Sequence, residues 1–175
     1  MKNAKVVYDG FHKIVQFEAE MKGRTVKRER LMAKSAVAGI VIDENNRIGL
    51  VSQYRPVISQ HTKELPAGVL DKKELSAVEI LMEELMEECG IEKEEILSIA
   101  ENPIPPYFMM AGNTDAVISF CEVRVKAQEN KTVNDNDVYY VEWVTLTEMA
   151  RYIEAGAICD SKTNMVYYYL LSQQK

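Results

Sequence analysis

The sequence predicts an α+β sandwich, and the order of its elements carries that expectation. Strand-like segments come first, one capped helix sits mid-chain between strands, and two helical stretches close the sequence. Strands and helices segregated in this way do not make a repeated βαβ unit. The composition is that of an ordinary globular protein: 47% hydrophobic, 27% charged, with five prolines and eight glycines in 175 residues. That length suffices for one domain with a real core and is short for two. We therefore expect one domain over residues 1–175, with residues 1–35 as an N-terminal strand region.

Taken in order, residues 11–32 read as two strands around Lys22-Gly23, the second running from Arg24 to Leu31. Lys27, Arg28 and Arg30 make a positive patch there, as suited to a solvated strand face as to an anion. Residues 37–43 form a buried-type strand, Glu44-Asn45-Asn46 a turn, and Arg47 to Tyr54 the returning partner. A loop with Pro56 leads to Glu64-Leu65-Pro66-Ala67-Gly68. Residues 77–88 are helical, and 115–125 and 138–145 are strands. Helices near 146–155 and 162–173 follow; the first opens on a Thr145/Glu148 capping box and stops at Gly156.

Composition also excludes partners. A net charge of −6 argues against nucleic acid, whose phosphate backbone recruits clustered Lys and Arg. Small phosphorylated substrates stay open, because a metal can supply the positive charge. Cys89, Cys121 and Cys159 have no paired spacing, which suits reduced thiols in a cytosolic protein and not a metal site. The first residues carry no apolar signal region, and no window approaches the ~18 apolar residues of a membrane helix. The expectation is a cytoplasmic protein without a membrane partner. His12 and His61 are isolated, and Trp143 and Tyr167-Tyr168-Tyr169 suit a core or interface, although an aromatic ring can also stack on adenine.

The informative segment is Ser76 to Gly90. Ser76 and Glu79 make a capping box, Gly90 is a natural stop, and Val78, Leu81, Met82, Leu85 and Cys89 supply an apolar stripe. Residues 77–88 also hold five glutamates, Glu79, Glu83, Glu84, Glu87 and Glu88, and no Lys or Arg. Like charges four residues apart cost about 0.2–0.5 kcal/mol per pair. Negative charge in the last turns costs about 0.3–1 kcal/mol more per residue through the helix dipole. A hard cation relieves both, and Mg²⁺ or Mn²⁺ takes carboxylate oxygens. Glu84, Glu87 and Glu88 share one patch by spacing. A solvated acidic face is the plain alternative.

With Gly68 and Glu74 upstream, Glu84-Leu85-Met86-Glu87-Glu88-Cys89-Gly90-Ile91 resembles the signature box of the Nudix hydrolases. Gln53-Tyr54-Arg55-Pro56, Glu64-Leu65-Pro66-Ala67-Gly68, Ala111-Gly112-Asn113-Thr114-Asp115 and Asp160-Ser161-Lys162-Thr163 resemble segments of its ADP-ribose and ADP-sugar pyrophosphatase branch. The likeness runs from about residue 11 to the end. It departs in two places: one extra residue follows Glu74, and Glu83 stands where the family has an Arg bracing the loop.

The resemblance implies an α/β/α sandwich with a mixed sheet and an N-terminal antiparallel extension, and a homodimer. It implies Mg²⁺ or Mn²⁺ held by Glu84, Glu87, Glu88 and the carbonyl of Ala67. It also implies a general base on the loop before the late strand, where Asp135 and Asp137 are the candidates and a plain turn is the alternative. Arg55 would grip a phosphate, Glu64 would accept from a nucleobase or brace the loop, and Gly112 would allow close backbone approach. Arg28 and Arg30 would reach phosphates, even those of a second subunit. The implied reaction is hydrolysis of ADP-ribose or a related nucleoside diphosphate sugar. Glu83 keeps a second class open, a catalytically weak nucleotide-binding sensor.

Overall fold

The structure, a computed structural model, describes residues 1–133 and 137–174. Strands β1 (Lys2–Asp9), β2 (Lys13–Met21) and β3 (Arg24–Leu31) form an antiparallel three-stranded sheet. The larger sheet contains β4 (Ala36–Asp43), β5 (Ile48–Arg55), β6 (Gln60–Glu64), β7 (Ala67–Val69), β8 (Ile96–Glu101) and β9 (Tyr107–Phe108). Strands β10 (Val117–Val125), β11 (Lys131–Thr132) and β12 (Val138–Val144) complete it, and the helices are α1 (Ala77–Cys89), α2 (Leu146–Glu154) and α3 (Ser161–Gln173).

The main path of the larger sheet runs β11-β12-β5-β4-β10-β8. Only its β4–β10 pairing is parallel, so the sheet is mixed, as expected. Every residue of β4 after Ala36 is buried, because both faces of the strand are covered. Val37 and Val41 join Leu81, Leu85 and Cys89 beneath α1. Ala38, Ile40 and Ile42 join Met149 and Val166 beneath α2 and α3. Alternation along a single strand thus feeds two cores and yields the α/β/α layering.

The sheet splits where the site lies. β4 and β5 pair only at Ile42↔Ile48, next to their turn. Beyond it β5 takes β6 as its partner, β4 takes β7, and the Gly39 amide donates to the Pro66 carbonyl at 2.9 Å. The segment 60–69 is therefore inserted between the diverging strands. Gln60-His61-Thr62-Lys63-Glu64 shows no apolar alternation, so nothing in the sequence marks β6 as a strand. β1 was likewise missed, since all its residues are exposed and no core face shapes its pattern.

α1 ends as its sequence directs. Ser76 and Glu79 close the capping box, and Gly90 adopts φ 57°, a left-handed conformation that favours glycine. Its buried residues are Ile80, Leu81, Leu85 and Cys89; Ile80 lies outside the stripe read from the sequence, because it packs towards Gly68. No helix among the described residues is long and apolar enough to cross a membrane.

Candidate active site

α1 and the split sheet enclose a cleft of about 470 Å³ lined by Arg55, Gly68, Glu84, Glu88, Asp137 and Lys162, among others. One wall is α1 against β7. The Ala67 amide donates to Glu88 Oε2 at 3.2 Å. A Cβ at residue 68 would stand 2.5 Å from Glu84 Cγ and 2.7 Å from its Oε1. Only glycine lets the backbone approach Glu84 so closely.

The donor set suits a hard cation. Glu84, Glu88 and the adjoining backbone offer oxygen ligands, and Mg²⁺ is commonly bound by one or two carboxylates with water and substrate phosphates in its remaining positions. No group of three His, Cys, Asp or Glu side chains able to hold a metal occurs among the described residues. Glu87 is exposed and is not part of the cleft lining.

Arg55 and Lys162, also on the cleft lining, converge on Glu64, which is 3% exposed and is not itself part of the lining. Arg55 donates to it through Nε and Nη2, both at 2.7 Å, Thr62 Oγ1 donates at 2.6 Å, and Lys162 Nζ also bonds to it. Burial alone would raise the Glu64 carboxyl; the Arg55 fork, Lys162 and Thr62 outweigh it and hold the group at about 2. Glu64 thus ties Arg55, Thr62 and Lys162 together. Asp160 caps α3, accepting from the Thr163 amide at 3.0 Å and from Lys162 at 3.1 Å. The Leu65 amide in turn donates to Thr163 Oγ1 at 3.0 Å, stitching α3 to the inserted segment.

The remaining expected residues fall as follows. Asp137 lines the cleft, and Asp135 lies outside the described residues. Arg28 sits on the three-stranded sheet, donating to the Lys27 carbonyl at 3.0 Å and to Met21 sulfur at 3.3 Å. Arg30 pairs with Asp115. Gly112 is not part of the cleft lining, and a Cβ there would meet nothing within 4 Å, so packing within the chain does not require the glycine.

Two site features escaped the sequence reading. Lys162 was seen only as part of a motif, because nothing local indicates that it reaches back to Glu64. Lys72 pairs with Glu83, bonding a loop residue to the helix at the residue where the box departs from its pattern. That bond raises the Lys72 ammonium. Glu83, an acid where the resemblance has a cation, thus finds its partner in a loop cation, Lys72. Lys34 adds a 2.9 Å bond to Asp71 in the same loop.

The model of the NUDIX domain matches residues 32–162. The chain belongs to the Nudix family. Over 157 residues it is 33% identical to a protein of Bacillus methanolicus named methanol dehydrogenase activator, covering 87% of this chain and 80% of that one. It is 26% identical over 150 residues to the ADP-ribose pyrophosphatase of Bacillus subtilis (strain 168), covering 85% and 78%. A crystal structure of an ADP compounds hydrolase superposes with a TM-score of 0.75 at 14% identity, covering 97% of this chain and 90% of that one, a likeness of fold.

Proposed function

We propose that this Nudix protein hydrolyses the diphosphate of ADP-ribose or a related nucleoside diphosphate sugar, giving a nucleoside monophosphate and a sugar phosphate. The observation that carries the reading is one cleft in which Glu84 and Glu88 meet the Ala67-Gly68 backbone and whose lining includes Arg55. The names of the Bacillus subtilis relative and of the structural neighbour support the substrate class.

Glu84, Glu88 and the Ala67 carbonyl are the assigned ligands of Mg²⁺ or Mn²⁺, with exposed Glu87 as an outer ligand. When bound, the metal neutralises the diphosphate and lowers the pKa of a coordinated water. Hydrolysis joins the oxygen of water to one phosphorus, breaks the bridging P–O bond and leaves its electron pair on the departing phosphate. Asp137, on the cleft lining, is assigned the proton of that water, and Arg55 grips a phosphate oxygen. We further assign the three-stranded sheet, whose strand β1 is exposed throughout, to a homodimer contact and the protein to the cytoplasm, the latter supported by its free cysteines.

The test is a panel of ADP-ribose, ADP-glucose, UDP-glucose and dinucleotides in Mg²⁺, read as phosphate released by a coupled phosphatase. The relative named for dehydrogenase activation is the reason to include dinucleotides, the cofactors of many dehydrogenases. Release of AMP from ADP-ribose or an ADP-sugar is expected. Tight binding by folded protein without turnover in Mg²⁺ or Mn²⁺ would replace the enzyme by a nucleotide sensor.

A further inference from the structure

Hydrolysis as proposed uses Arg55 and the acids of α1. It leaves unexplained why a lysine from the C-terminal helix lines the same cleft as Arg55, and why one buried carboxylate, Glu64, holds both cations. Glu64 Oε1 accepts from Arg55 Nε and Thr62 Oγ1, and Oε2 from Arg55 Nη2 and Lys162 Nζ. Four donors fill the acceptor sites of a carboxylate. Glu64 therefore has no site left for the amino group of a nucleobase.

Each cation keeps donors to spare. Arg55 spends Nε and Nη2 on Glu64, retains Nη1, and its side chain is 45% exposed. Lys162 has three N–H donors and spends them on Glu64 and on Asp160 Oδ1 at 3.1 Å, leaving one. Both line the cleft that contains Glu84 and Glu88. Their charges are balanced by Glu64 and Asp160, and their positions are fixed by the capped start of α3 and its tie to Leu65. Long side chains already fixed in place lose little further entropy when a ligand arrives.

The geometry points to a two-cation seat for a phosphate group, formed by Arg55 and Lys162, with Glu64 as the positioning residue that sets their spacing. This rests on the reading of the protein as a diphosphate hydrolase and extends it. Lys162 becomes a substrate-contacting residue, and α3 becomes part of the binding machinery as well as a cover for the core.

Calorimetric titration of inorganic diphosphate into the full chain in EDTA tests the seat without metal or turnover. The wild type is expected to bind, Lys162→Met to bind roughly tenfold more weakly, the loss of about one charge-assisted hydrogen bond, and Lys162→Arg to recover most of the affinity. Glu64→Gln is expected to weaken diphosphate binding too, and, with a turned-over sugar in Mg²⁺, to raise KM more than it lowers kcat. Arg55→Lys, which keeps the charge and loses the fork, is the second variant should Lys162→Met not fold. Failure of the metal-free wild type to bind diphosphate, or equal affinity in Lys162→Met and wild type, would overturn the seat. Lys162-dependent diphosphate binding without hydrolysis of any nucleoside diphosphate sugar would uphold the seat and overturn the proposed activity.

Discussion

On one wall of the cleft, α1 gathers acid on a helix that has no basic residue in its last turn; elsewhere on its lining, two cations, Arg55 and Lys162, share a single buried acid, Glu64. The first arrangement is costly for a helix alone, since like charges at spacing four and the dipole both oppose it. The second is satisfied within the chain, because four donors compensate the burial of one carboxylate. A wall left costly suits a ligand that arrives with positive charge, and a wall already arranged suits one that arrives negative. A metal diphosphate brings both.

Substitutions separate the two walls, and the largest effect is expected on the acidic one. Glu88→Gln keeps the size of the side chain and removes a charge, so turnover should fall roughly a hundredfold or more while the melting temperature holds. Unchanged turnover would show that Glu88 is not a ligand. Gly68→Ala comes next, because its methyl group would meet Glu84 Cγ at 2.5 Å and Ile80 Cγ2 at 2.9 Å. A stability loss of about 1–3 kcal/mol is expected with displacement of Glu84, read by denaturant melts and kcat.

The cationic wall should show itself in acid. The Glu64 carboxyl titrates at about 2 in the fold against an ordinary 4.5. Its contribution is therefore complete above pH 4.5 and is lost as pH falls towards 2. With the exposure of Arg55 screening the pair, about 1–2 kcal/mol is expected, and Glu64→Gln should flatten stability across that window. An unchanged profile in the variant would mean that other carboxylates govern acid unfolding.

The smallest effect belongs to the exchanged brace. Lys72→Glu should lower turnover by a small factor by freeing the loop from Glu83, and adding Glu83→Lys should restore it. Additive losses in the double variant would dissociate that bond from the loop's position.

What was legible in the sequence follows the same division. α1 was readable to within a residue because its caps and acidic face are local: Ser76, Glu79 and Gly90 act within one turn. β4 was readable because burial on both faces leaves an unbroken apolar run. β6 and β7 were not, since the inserted segment is held by pairing to β5 and β4 and not by a pattern of its own. The Glu64 network joins residues 98 positions apart, a separation no spacing rule spans. Glu83 looked like a defect in the box because the charge that answers it lies in the loop, at Lys72.

The proposed hydrolysis rests on a divalent cation held by the acidic wall. Electron paramagnetic resonance of Mn²⁺ titrated into wild-type protein and into Glu88→Gln measures this without any substrate. Loss of the free Mn²⁺ signal on addition to the wild type, and its marked recovery in Glu88→Gln, is the expected result. Equal Mn²⁺ uptake by the two proteins, or none by the wild type, would contradict it.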